Sequence, residues 1–444
     1  MELKKRLGAA GALAALATAV LPGPAQAADL RVGAGRASVT PAASDFPYLP
    51  SQAVSLNTGP GERSFVGVHD EIYARALVAD DGAKRVALVV LEVTAVPAAD
   101  DIVKAIAQQL GVPTSNVMVA ATHTHSVPLF SYAGANPNPR EAREIERLKA
   151  GALEAVRQAA AQLQTARIAF GRGQGWVNIN NGEQSGSKAG YDPLGPSDKT
   201  LDVMRFETAA GAPIALFVNY ASHAEVMFRS ITKADGYEIS GDLPGAVSRL
   251  LEKLPTAAPV VLFTAAAEAD QLTLFKSLQS GGPLPPSDEG AAGWALLESQ
   301  ARRLAGSVMD TVAALKPSLA PARVAADAGS ATCPGQVLTI DRDGKVTKEA
   351  KPPVAIPLSM IRVNDVVLAG VGGDVASDIG RHFRTALPAA NTSMVTLAGN
   401  SVGYIFTDAS YVHPGHGLTK SLLKEGCADR AIVNALVRLI KTAP

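Results

Sequence analysis

Seven histidines occur in the 444-residue chain, and two of them stand one residue apart in Ala121-Thr122-His123-Thr124-His125-Ser126. The apolar run Asn116-Val117-Met118-Val119-Ala120 precedes them, so both imidazoles fall at or just past the end of a buried strand. In open α/β sheets ligands gather at that end of the strands. An H-x-H there offers a metal one ligand and sets a proton carrier beside it; a pair of polar turn residues is the other reading. Ala215-Leu216-Phe217-Val218-Asn219-Tyr220-Ala221-Ser222-His223 repeats the arrangement, an apolar strand with a histidine at its exit. One such histidine is commonly a core residue bonded to a carbonyl. Two at equivalent places in a histidine-poor chain favour a shared ligand role. Asp374 follows the glycine-rich turn Gly370-Val371-Gly372-Gly373 and precedes a helix starting near Ala376, a position suited to a ligand or to a helix cap. Tyr404, in Asn400-Ser401-Val402-Gly403-Tyr404, lies just past another strand, where a tyrosine is usually a half-buried packing residue.

These residues need a frame. Apolar runs predict strands at 85–93, 116–121, 167–170, 203–206, 213–220, 260–263, 322–326, 355–360, 365–368 and 393–398. Helical periodicity falls at 98–109, 140–163, 243–254, 289–314, 376–387 and 428–442. The alternation implies βα units and an α/β fold, a mixed β-sheet core with flanking helices. Two long loops, 173–200 and 274–288, interrupt it, and loops of that length are often functional or disordered. No repeat or compositional break divides the chain, so a single domain over 28–444 is expected.

Lys4, Lys5 and Arg6, the apolar run 7–21 and Ala25-Gln26-Ala27 have the form of a signal peptide cleaved after Ala27. The expected location is therefore exported, periplasmic or extracellular. The run is short for a membrane span, and no integral membrane segment is expected once it is removed. Loss of residues 1–27 takes away three basic residues and Glu2, so the formal charge of +0 becomes −2. That balance argues against nucleic acid, which requires a basic face, and gives no polybasic patch for anionic lipid. Cys333 and Cys427 either pair, as an oxidising compartment allows, or stay as two free buried thiols. Neither lies in a zinc-type C-x-x-C spacing.

The ordered motifs resemble the catalytic domain of the neutral, non-lysosomal ceramidases. The resemblance starts at Val32-Gly33-Ala34-Gly35-Arg36-Ala37-Ser38-Val39-Thr40-Pro41 and includes Gly67-Val68-His69-Asp70-Glu71-Ile72-Tyr73-Ala74-Arg75-Ala76 and the strand ending Leu91-Glu92. Ala121-Thr122-His123-Thr124-His125-Ser126, Ser240-Gly241-Asp242-Leu243-Pro244-Gly245 and Gly403-Tyr404-Ile405 follow in the family's order. It implies a hydrolase with a Zn2+ ion held by His123, His223, Asp374 and Tyr404, an amide-bearing lipid or small molecule as substrate, and a water activated by the metal. His125 would be the proton shuttle or an orienting residue, and Tyr404 would stand at the reacting centre.

Departures from the family pattern accompany these matches. Asp374 replaces a glutamate, and a glycine before it replaces the usual proline. Ala269-Asp270-Gln271-Leu272-Thr273 stands for G-D-x-S-P, with leucine in the serine's place. Asn181 falls where an arginine is expected, and His416 aligns with a second active-site tyrosine. Asn181, Asp270 and His416 are the expected substrate-facing positions. The family's C-terminal β-rich domain is expected to be absent, the chain stopping at Pro444. The metal ligands match better than the substrate-reading residues, which fits a changed substrate: ceramide, another N-acyl lipid, or a related amide or ester. The alternative is a secreted binding or structural protein with a relic metal site, favoured by Asp374, Leu272 and Asn181 and opposed by the intact His123, His125, His223 and Tyr404.

Overall fold

A computed structural model describes residues 29–47, 63–128, 137, 139–182, 191–233, 236–256, 258–279, 286–319, 322–341, 343–388, 391–412, 414–415 and 417–443. The signal-peptide segment and His416 lie outside the described residues. The chain enters through β1 (Arg31–Ser38), β2 (Phe65–Val68), β3 (Tyr73–Asp80) and β4 (Arg85–Leu91), then α1 (Ala99–Leu110), β5 (Val117–Ala121) and α2 (Pro139–Ala161). Next come β6 (Gln164–Gln174), β7 (Asn178–Asn180), β8 (Thr200–Thr208), β9 (Pro213–Tyr220), β10 (Tyr237–Ile239) and α3 (Asp242–Glu252). β11 (Val261–Ala265), β12 (Gln271–Thr273), β13 (Leu278–Gln279), β14 (Ser287–Asp288) and α4 (Gly293–Ala314) follow. The last part holds β15 (Val324–Ile340), β16 (Val346–Val363), β17 (Val366–Val371), β18 (Asp374–Val375) and α5 (Ser377–Ala386). It closes with β19 (Asn391–Val395), β20 (Tyr404–Ile405) and α6 (Ala428–Thr442).

Eight strands form a mixed sheet in the order β11-β9-β8-β6-β1-β3-β4-β5, and β15-β16-β17-β19 form a second. Alternate residues of β4 and β5 enter two different cores. Val89, Leu91, Val119 and Ala121 pack with Ile102 and Ile106 of α1 and Leu148 of α2. Leu88, Val90, Met118 and Ala120 meet Ile361, Val363 and Leu368 of the second sheet. A strand buried on both faces must be apolar throughout, hence the run Val-Ala-Leu-Val-Val-Leu after Arg85. The far face of the second sheet packs on Phe383 of α5 and on Ile432 and Leu436 of α6. α3 and α4 cover β9 and β11. The layers are thus helices, large sheet, small sheet, helices.

The mixed-sheet α/β class agrees with the sequence reading, but the second sheet was not foreseen. Only the buried ends of β15 and β16 carry an apolar signal; most of the first half of β16 is exposed. β1 was also missed as a strand, because glycine takes the place of branched side chains there. A Cβ on Gly33 would lie 2.0 Å from the Ala159 carbonyl oxygen of α2, so glycine lets this strand and helix touch.

One feature of the layering assembles the site. β5 and β11 are opposite edges of the large sheet, yet residues 396–399 stitch them together. Thr396 N–H donates to Ala265 O (3.0 Å), Ala121 N–H to Leu397 O (3.3 Å) and Gly399 N–H to Val119 O (2.8 Å). Beyond the strands, Thr124 and Ala224 form a parallel bridge with His125 N–H donating to Ala224 O at 3.0 Å. The exits of β5 and β9 therefore face each other. Cys333 and Cys427 are disulfide-bonded, tying β15 to the start of α6. Among the described residues, no helix is long and apolar enough to cross a membrane.

Candidate metal centre

His123 follows β5 with φ at 64°, an uncommon left-handed conformation that histidine adopts more readily than most residues and that clusters at functional sites. Its Nδ1–H donates to Thr94 O at 2.6 Å. His223, past β9, donates from Nδ1 to Glu268 O at 3.1 Å. Each ring proton is thereby committed to a backbone carbonyl, leaving both Nε2 atoms as lone pairs. Those two atoms face each other at 3.0 Å. Asp374 Oδ2 lies 3.5 Å from His123 Nε2 and 3.4 Å from His223 Nε2. The Tyr404 hydroxyl is 3.1 Å from His223 Nε2.

Both carboxylate oxygens of Asp374, 3% exposed, and Oε1 of Glu268, fully buried, have no hydrogen-bond donor. One donor atom from each of His123, His223, Glu268 and Asp374 lies within 4.8 Å of the others. Facing lone pairs and orphaned buried carboxylates repel one another unless a cation sits among them. Two imidazoles with carboxylate and phenol oxygens are a donor set that fits a divalent metal.

The ionisation behaviour has the same logic. Burial pushes His123 well below the usual imidazole value, and the neighbouring His223 and His125 push it further. Burial likewise lowers His125, to about 3, against the pull of Glu225. Burial raises Asp374 to about 7, with His223 opposing and Asp270 and Glu225 adding to the rise. Glu268 is raised well above the carboxylate range by burial and by the charge of Asp374. A bound cation would favour charged carboxylates and neutral imidazoles together.

Asp374 does not cap α5. Its strand β18 pairs with β20 so that Asp374 stands opposite Tyr404, and its N–H donates to Gly403 O at 2.9 Å. The close approach requires Gly372, where a Cβ would lie 2.4 Å from Asn400 O. The cap is Asp270 instead, which accepts from Ser377 N and from Ser377 Oγ, both at 2.8 Å. Asp270 is thus fully buried beneath α5, with its carboxylate engaged by the helix start. Asn181 lies alongside, its N–H donating to Asp270 O at 2.9 Å and its side chain to Ala269 O at 3.1 Å. Leu272, in β12, is registered opposite Ile179 of β7.

His125 places Nε2 3.0 Å from His123 Nε2 and Nδ1 3.5 Å from the Glu225 carboxylate. Glu225 in turn pairs with Lys276 at 2.6 Å, and Phe228 meets the His125 ring edge-on at 5.2 Å. The loops carrying these groups are anchored by Asp242. Its carboxylate accepts from Val226 N (3.1 Å), Met227 N (2.9 Å), Leu243 N (2.7 Å) and Ser126 Oγ (2.8 Å). The sequence reading noted Asp242 within a motif without a role, and it missed Glu268 altogether. The signal for Glu268 was available: like His123 and His223, it stands past the exit of an apolar parallel strand, β11.

Residues 31–267 match the family described as neutral/alkaline non-lysosomal ceramidase, N-terminal. Two solved structures share the fold. One described as a ceramidase complexed with C2 superposes with a TM-score of 0.71 at 16% identity, over 93% of this chain and 74% of the other. The neutral ceramidase of Pseudomonas aeruginosa gives 0.68 at 16% identity, with the same 93% and 74% coverage. Among curated proteins, none matches by sequence.

Proposed function

This chain belongs to the neutral/alkaline non-lysosomal ceramidase family, and from that premise we propose that it is an exported, zinc-dependent hydrolase cleaving an amide. The substrate is an N-acyl lipid such as ceramide, or a related amide or ester. The observation that carries this reading is the pair of imidazole Nε2 lone pairs facing each other at 3.0 Å beside the donorless carboxylate of Asp374. Zinc held by His123, His223, Asp374 and Tyr404 would supply Lewis acidity, polarising the scissile carbonyl and making water a nucleophile near neutral pH.

The chain's own residues do the remaining work. The carbonyls of Thr94 and Glu268 fix the tautomer and tilt of the two ligand rings. His125 opens onto the same point through Nε2, with the Glu225 carboxylate 3.5 Å from Nδ1 to stabilise the imidazolium as the ring takes the proton of the attacking water and passes it to the leaving amine. Export is supported by the basic, apolar and small-residue N-terminus and by the disulfide, a bond of oxidising compartments. Leu272 and Asn181, in place of the family's serine and arginine, favour the related amides or esters over ceramide itself within that class.

The test is hydrolysis of a fluorogenic N-acyl amide by the purified mature protein, with and without a chelator. Turnover that chelation abolishes and zinc restores is expected. Stoichiometric zinc with no chelator-sensitive turnover on any acyl substrate would overturn the hydrolase and leave a metal-binding protein.

A further inference from the structure

We propose that Glu268 is itself a ligand to the ion, so that the centre carries two carboxylates rather than one. The inference rests on the metal reading above and extends it. Glu268 Oε2 accepts from Ser222 N–H at 3.1 Å, while Oε1 has no donor although the side chain is fully buried. A carboxylate oxygen held dry without a partner is costly, and a cation held among these groups relieves that cost where a proton otherwise must. The carboxylate lies within 4.8 Å of the donor atoms of His123, His223 and Asp374 at once. Donors at about 2.0–2.2 Å from one ion stand at most about 4.4 Å apart, so a small side-chain adjustment from this 4.8 Å bound brings all four onto one ion.

The backbone explains how a second carboxylate arrives. Glu268 follows β11, and the next residue, Ala269, donates its N–H to Val375 O at 3.0 Å. Glu268 and Asp374 therefore reach the centre from adjoining segments. The shorter reach of aspartate at 374 leaves room that the longer glutamate fills from the neighbouring segment. Glu225, the other acid nearby, is not available in this way, because Lys276 pairs with it. Two carboxylates cancel the formal charge of a divalent cation in a buried site. They also add a hard oxygen donor, which raises affinity for Mn2+ relative to Zn2+.

The experiment uses the purified full mature chain, stripped of metal and titrated with Zn2+ or Mn2+ against a chelating indicator. Wild type is compared with Glu268→Gln, which keeps the shape and can still accept from Ser222, and with His223→Ala. Glu268→Gln is expected to weaken Zn2+ binding by more than about 100-fold, beyond the roughly 10–100-fold that losing a group behind the ligands costs, and Mn2+ binding by more still, with the metal-free form still unfolding cooperatively. Unaltered affinity for both ions in Glu268→Gln, while His223→Ala loses them, would overturn the proposal and leave the metal reading intact. Failure of wild type to bind either ion would sink both. A second measurement needs no variant: the Co2+-substituted wild type should show the weak visible bands of five- or six-coordination, and an intense four-coordinate spectrum would also overturn the proposal.

Discussion

Replacing Asp242 with alanine should cost about 3–5 kcal/mol of stability and slow turnover while leaving the metal in place. The carboxylate is fully buried and accepts from three backbone N–H groups and one hydroxyl. Each bond to a charged acceptor is worth roughly 1.5–3 kcal/mol, and each stranded buried donor costs about 1–3 kcal/mol. Relief of the desolvation of the carboxylate itself, which raises its pKa, offsets part of that sum. The net falls in the upper tail of single substitutions. The functional consequence follows from what the donors belong to. Ser126 adjoins His125, and Val226 follows Glu225, so the loops carrying the proton carrier and its carboxylate lose their common anchor. His123 and His223 keep theirs, in the carbonyls of Thr94 and Glu268. Urea unfolding of the metal-free protein gives the stability change, and elemental analysis with kinetics gives the rest. A loss under about 1 kcal/mol, or metal released as completely as in His223→Ala, would refute the reasoning.

His125→Ala should retain full metal stoichiometry and lose about 10²–10⁴-fold in kcat; metal loss would make it a ligand instead. Burial raises the Asp198 carboxyl, but Arg384 and Thr200 more than compensate and hold it below its usual value. Because the folded pKa is the lower one, its stabilisation is complete above about pH 4 and fades as pH falls through the folded value. The stability difference between wild type and Asp198→Asn should therefore shrink on acidification below that pH; a constant difference in acid titrations would contradict the ion pair. Removing the Cys333–Cys427 bond, which spans 94 residues, should cost about 2–5 kcal/mol. Equal unfolding midpoints for wild type and the double alanine variant would refute that.

The parts of this molecule legible in its sequence share one physical property: their environment is set by burial. β4, β5 and β9 announce themselves because both faces are packed, and the six helices because one face is. His123 and His223 stand out as polar residues interrupting such runs. Asp374 could not be separated from a helix cap, since the residue that takes the cap, Asp270, lies 107 positions from Ser377. Local pattern carries no trace of that competition. Asp270 and Asn181 align with substrate-facing positions; the Asp270 carboxylate accepts from the α5 start, and the Asn181 N–H donates to Asp270 O. Glu268 escaped notice because a lone glutamate after a strand is usually solvated, and only the stitching of β5 to β11 brings it inside. The β15–β16 hairpin was read as two fragments because its solvent-facing half carries polar residues and prolines.

The central claim is that His123, His223, Asp374 and Tyr404 close around one zinc ion. Anomalous diffraction from crystals of the zinc-loaded protein, recorded on both sides of the zinc absorption edge, tests it most directly. The account predicts a single strong peak about 2.0–2.2 Å from His123 Nε2, His223 Nε2, an Asp374 oxygen and the Tyr404 hydroxyl. A peak that lacks any of these four residues, or none at this point in a stoichiometrically loaded crystal, would contradict it; Glu268 as a fifth ligand would not.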